Sequence, residues 1–216
     1  MCGRFTLRTS PSEVARQFNL PGMPELAPRY NVAPSQDVPI VRPADDGDRR
    51  QLVFAQWGLI PSWAKDPKIG NRMINARSET AAEKPAFRAA MKRRRCLVPA
   101  DGFYEWKKIG SKKQPYYIGL EEGELFAFAG LWEHWGGDDE LVSCTILTTD
   151  ANEVLRPLHD RMPVILAPGD YDEWLDPQTT DGAEVEHLLA PYPSDAMRLY
   201  AVTTDVNKPS FDDPSC

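Results

Sequence analysis

The chain has 216 residues, 42% hydrophobic and 26% charged, with a formal net charge of -7. These values describe an ordinary globular chain and exclude a uniformly basic nucleic-acid binder, though not a local basic face. Twenty prolines favour loops and short elements over long helices.

The chain opens Met1-Cys2-Gly3-Arg4-Phe5. With Met1 removed, Cys2 carries a free α-amine and a thiol, whose ordinary pKa values are about 7.7–8.0 and about 8.5. Such a 1,2-aminothiol captures an aldehyde twice: the amine forms an imine, and the sulfur closes a five-membered thiazolidine. The second step is intramolecular and gains a large effective molarity. A second residue on a frayed chain end is the plain alternative.

Ser10-Pro11-Ser12-Glu13 predicts a capped helix carrying Val14 and Phe18, ended by Pro21-Gly22. Arg29 to Gln36 reads as a loop, Val38 to Arg42 as a strand, Asp45 to Asp48 as a polar turn and Gln51 to Trp57 as a strand. Gly58 to Trp63 reads as a stiff loop exposing tryptophan. Asn75-Ala76-Arg77 leads into a helix with a Thr80/Glu83 capping box, and a second helix runs from Ala86 to Arg95. Cys96 to Trp106 alternates and turns. The stretches around Tyr116 to Leu120 and Leu125 to Leu131 flank Glu121-Glu122-Gly123-Glu124 as a hairpin. Leu141 to Leu147 is a strand, and Asp150 and Glu153 start a short helix ending at Pro157. His159 to Pro163 is a loop before the strand Val164 to Leu166. Tyr171 to Leu175 and Ala183 to Leu189 read as helices, Arg198 to Thr203 as a last strand, and Asp205 to Cys216 as a tail. The pattern implies one α+β domain over residues 1–216, its mainly antiparallel sheet curled into a barrel with short surrounding helices.

The cysteines Cys2, Cys96, Cys144 and Cys216 form no CxxC pair, so no metal or redox motif is visible; Cys96 and Cys144 read as core. The first twenty residues lack the apolar core of a signal peptide, and no run of about 18 apolar residues is present. A cytoplasmic protein with reduced thiols is expected, with no membrane partner and no metal.

Several residues can carry chemistry. His159 is the best candidate for a proton shuttle near neutral pH, against the alternative of a structural hydrogen bond. Glu105, between Tyr104 and Trp106, is a candidate general acid if the aromatics desolvate it. Asn75 and Arg77, two apart on an extended segment, face one side; Asn75 suits a developing oxyanion and Arg77 a phosphate. The basic run Lys92 to Arg95 and the pairs Lys107-Lys108 and Lys112-Lys113 read as a phosphate track or as solvated surface. Trp57, Trp63 and Trp106 stack on bases or fill the core. No nucleotide fingerprint is present, so no nucleotide cofactor, and no cofactor of any other kind, is expected.

Six ordered blocks, Met1-Cys2-Gly3-Arg4-Phe5, Arg29 to Pro34, Trp57 to Trp63, Asn75 to Thr80, Arg95 to Trp106 and His159 to Pro163, resemble the SOS-response-associated peptidase (SRAP) family, the abasic-site shielding proteins. The match runs from Met1 to about Leu166. The resemblance implies loss of Met1, by autoproteolysis or by an aminopeptidase. It implies capture by Cys2 of the ring-opened aldehyde of an abasic site in single-stranded DNA. The implied product is a stable thiazolidine crosslink, with peptidase and lyase-type chemistry at the same site and the protein acting as a monomer. In that scheme Asn75 orients the sugar or the terminus of Cys2, Glu105 moves protons, and His159 is the second acid/base group and favours reversal. Arg4, Arg77 and Arg161 grip phosphates, and Trp63 and Trp106 contact the strand. Two rivals stay open: an amidohydrolase using Cys2 as amino-terminal nucleophile, and a non-catalytic single-strand DNA-binding module.

Overall fold

A computed structural model describes residues 2–44, 47, 49–136 and 141–216; Met1 and, apart from Gly47, the expected turn at Asp45 to Asp48 lie outside the described residues. Thirteen strands are described: β1 Phe5–Leu7, β2 Arg29–Val32, β3 Asp37–Pro43, β4 Arg50–Trp57, β5 Asn75–Arg77, β6 Arg95–Ala100, β7 Gly102–Ile109, β8 Lys112–Leu120, β9 Phe126–Trp135, β10 Leu141–Asp150, β11 Arg161–Pro163, β12 Ile165–Leu166 and β13 Met197–Ala201. Four short α-helices join them: α1 Pro11–Gln17, α2 Ser78–Ala81, α3 Arg88–Arg93 and α4 Tyr171–Leu175.

Five strands close on themselves. β10 lies parallel to β4, β4 pairs with β3, β3 with β6, β6 with β9, and β9 returns to β10. Closure removes the exposed edges that a five-stranded sheet would otherwise present. The second sheet runs β13-β8-β7-β1-β2. Alternation along the strands feeds two cores. Cys96, Val98, Phe126 and Phe128 point into one cluster, while Leu97, Ala127, Ala129 and Leu131 join another with Trp174 and Tyr171 of α4. The barrel-like α+β reading therefore holds, with parallel pairing of β10 to β4 and β5 added.

α1 starts as its sequence dictates: Ser10 caps it by accepting the Glu13 amide, and Pro11 occupies the first turn. Other expectations are corrected. Glu121 to Glu124 is no hairpin, because β8 pairs with β7 and β13 while β9 pairs with β6, β10 and β12; the segment crosses between sheets. The true hairpin is β7–β8, turning at Gly110 with φ +60°. Arg29 to Val32 is strand rather than loop, and Arg161–Pro163 is strand as well. No helix follows Asp150, which ends β10; Asn152 instead caps a turn by accepting the Leu155 amide at 3.0 Å. The Thr80/Glu83 box does not form, since α2 is a single turn already ended at Ala81. Residues 205–216 are not a loose tail: Asn31 Nδ2 donates to the carbonyls of Val206 (3.1 Å), Lys208 (3.1 Å) and Phe211 (2.7 Å). Asp212 accepts the Asn31 amide at 3.0 Å and pairs with Arg29.

Candidate active site

Cys2 is placed by the strand that follows it. Phe5 of β1 pairs with Phe103 of β7, and the Tyr104 amide donates to the Arg4 carbonyl at 3.0 Å. This carries Cys2 into the core with Trp57, Cys144 and Ile146, where it is 0% exposed. Burial pushes its thiol pKa up, and the negative charge of Glu105 pushes it further. Glu105 lies buried on β7 beside Trp106. Burial raises its carboxyl above the ordinary value, and the charge of His159 pulls the other way. Glu105, Trp106, Lys113, His159 and Asn207 line a cavity of about 530 Å³ that opens to solvent.

His159 is held by β11. Its Nδ1 accepts the Arg161 amide at 2.9 Å and lies 2.8 Å from Asp160 Oδ1. One Nδ1 cannot accept from the amide and donate to the carboxylate together. The amide is fixed by strand pairing, whereas Asp160 is exposed, so the neutral ring accepts at Nδ1 and carries its hydrogen on Nε2.

Asn75 stands on β5 beside Ile146 of β10, a neighbour of Cys2 in the core. Its Nδ2 donates to the Ile146 carbonyl at 3.5 Å, and its buried Oδ1 has no hydrogen-bond partner among the described residues. A buried acceptor left unsatisfied is costly and marks a place where a donor belongs. Arg77, two residues on, is exposed.

The arginines divide. Arg4 Nη1 donates to Asn31 Oδ1 (2.8 Å) and to the Val206 carbonyl (2.6 Å), and its guanidinium lies 6.0 Å from the Trp106 ring. Arg161 is occupied: Nη1 donates to Glu79 (2.6 Å) and Asp150 (2.8 Å), Nη2 to Glu79 (2.8 Å) and the Thr148 carbonyl (2.6 Å). Arg161, expected to grip phosphate, is here engaged by two carboxylates and one carbonyl. Trp63 is 60% exposed, whereas Trp57 is fully buried and donates Nε1 to the Ile74 carbonyl. Trp106 donates Nε1 to Asn207 Oδ1 at 2.6 Å. Asn207 escaped sequence reasoning because it sits in the supposed tail; Val206 and Phe211, apolar residues within that polar run, were the available signal. The cysteines are free, and among the described residues no three His, Cys, Asp or Glu side chains converge as a metal site.

The fold is a closed β-barrel that buries Cys2, with Glu105 and His159 lining one cavity. The family model described as SOS response associated peptidase (SRAP) matches residues 1–209, and the chain belongs to that family. It is 48% identical over 220 residues to the abasic site processing protein YoqW of Bacillus subtilis, covering 99% of this chain and 97% of the relative. It is 34% identical to the abasic site processing protein YedK of Escherichia coli, covering 88% and 86%. A crystal structure of a Bacteroides thetaiotaomicron protein superposes with a TM-score of 0.87 at 30% identity, over 99% of this chain and 97% of that one.

Proposed function

We propose that this protein recognises abasic sites in single-stranded DNA and shields them by covalent capture through Cys2. The observation that carries the reading is the buried carboxyl of Glu105, which lines one cavity with His159 in a fold that also buries Cys2. The names of the relatives, abasic site processing proteins, support the substrate.

The chemistry balances without a co-reactant. With Met1 removed, the amine of Cys2 adds to the aldehyde of the ring-opened sugar and gives a carbinolamine. Loss of one water, its oxygen protonated by Glu105, leaves the imine. The thiol then adds to the imine carbon and its proton passes to nitrogen, closing the thiazolidine. The amine attacks first, and the thiol follows within the ring. Asn75 supplies an amide for the terminus of Cys2 or the sugar oxygen. His159 serves as the second acid/base group and favours reversal. Arg4, Arg77, Trp63 and Trp106 contact the strand. The protein acts in the cytoplasm as a monomer, and the peptidase step releases Met1.

Intact mass before and after incubation with an abasic oligonucleotide tests this. The expected protein lacks Met1 and gains the oligonucleotide mass less one water, and Cys2→Ala gains nothing. Adduct formation by Cys2→Ala removes the cysteine from the mechanism. Binding without any adduct favours the non-catalytic module, and release of an acid and an amine from amide substrates favours the amidohydrolase.

A further inference from the structure

The segment Lys107-Lys108-Ile109-Gly110-Ser111-Lys112-Lys113 holds four cations and no acid in a chain of net charge -7. It forms the tip of the β7–β8 hairpin. The neighbours of these strands stop short. β1 pairs no further than Phe103 on β7, and β13 no further than Tyr116 on β8, with Val202 bonded to Pro115 and Gln114, so residues 107–113 overhang as a two-stranded ribbon. Lysines 107, 108, 112 and 113 and Ile109 are all exposed, Ile109 at 55%. Lys108 stands directly opposite Lys113. Like charges paired across strands destabilise a hairpin. Among the described residues none of the four lysines has an ion-pair partner. Lys113 also lines the cavity of Glu105 and His159, so the ribbon leads out of the site.

We infer that this ribbon is a phosphate-binding arm that holds the nucleic-acid backbone on one side of the captured nucleotide. A backbone of regular negative charge is the ligand that turns Lys108–Lys113 repulsion into attraction. The arm rests on the proposed function for its ligand. A competing role exists for exposed lysines on a ribbon, which is to keep its open edges from pairing with other chains.

Charge reversal separates the two roles. Lys108→Glu with Lys112→Glu keeps the edges charged, and so keeps edge protection, but repels phosphate. The measurement is affinity for undamaged single-stranded oligonucleotides extended on one side or the other of a fixed central nucleotide, as a function of salt. Wild type is expected to gain affinity from extension on one side only. The variant is expected to lose that gain, with the slope of log affinity on log salt reduced by about 0.7 for each phosphate no longer neutralised, about 1.4 for two. Circular dichroism and sizing confirm that the variant is folded and of unchanged mass. A folded variant with wild-type affinity and slope overturns the arm and leaves edge protection. Wild-type binding with no abasic adduct overturns the covalent function and leaves the arm standing.

Discussion

In the proposed function Glu105 serves chemistry at the expense of the fold. Its carboxyl is buried, so its pKa stands above the ordinary value near 4.5. The folded protein then holds this proton more tightly than the unfolded chain does. Stability contributed by that proton is full below about pH 4.5 and is lost as pH rises towards the folded value. Glu105→Gln removes this loss and is expected to melt higher than wild type at neutral pH. The same change removes the proton donor, and adduct formation is expected to slow by about 100-fold. The decline in wild-type rate as pH rises through the carboxyl ionisation is also expected to vanish from the pH–rate profile. A variant that melts lower and reacts at the wild-type rate would make Glu105 a structural acid. The aromatic flanks of Glu105 made this environment legible, because Tyr104 and Trp106 announce desolvation locally. Cys2 was legible for the same reason: its chemistry depends on position in the chain and on nothing distant.

Among the elements, β11 carries the least readable assignment. Arg161 looks like a phosphate ligand in a polar loop. Its partners Glu79 and Asp150 lie 82 and 11 residues away, and no local pattern reveals them. Hydrogen bonds to charged groups contribute about 1.5–3 kcal/mol, so Arg161→Ala is expected to cost about 2 kcal/mol and lower the melting temperature by about 6 °C. Calorimetry checks this; an unchanged melting temperature would return Arg161 to the strand-binding residues. The pairing partners of β8 and β9 were hidden likewise. Both strands alternate correctly, but alternation does not state which sheet a strand joins, and the crossing at Gly123 looks like a turn. The single-turn α2 and the turn after Asp150 show capping residues outvoted by neighbouring strands. Helical propensity is weak over one turn, and tertiary pairing decides.

At the scale of the whole molecule, the two cores share strands. Adjacent residues of β6 and β9 point to opposite clusters, so neither cluster can melt without exposing the other. One cooperative unfolding transition is expected despite a length at which intermediates become common. Fluorescence of Trp57, in one cluster, and Trp174, in the other, isolated by replacing the remaining tryptophans, should report coincident midpoints. Separate midpoints would divide the barrel from its helical cover. Segments far apart in the chain also meet: Arg4 reaches the Val206 carbonyl, and Asn31 gathers that carbonyl and those of Lys208 and Phe211. On the ribosome, therefore, β1 is made some 200 residues before the segment that seats it. At about 5–20 residues per second, a nascent chain spends about 10 to 40 s with an unfinished pocket. Translation itself thus sets a delay before β1 and the segment after Val206 can be joined.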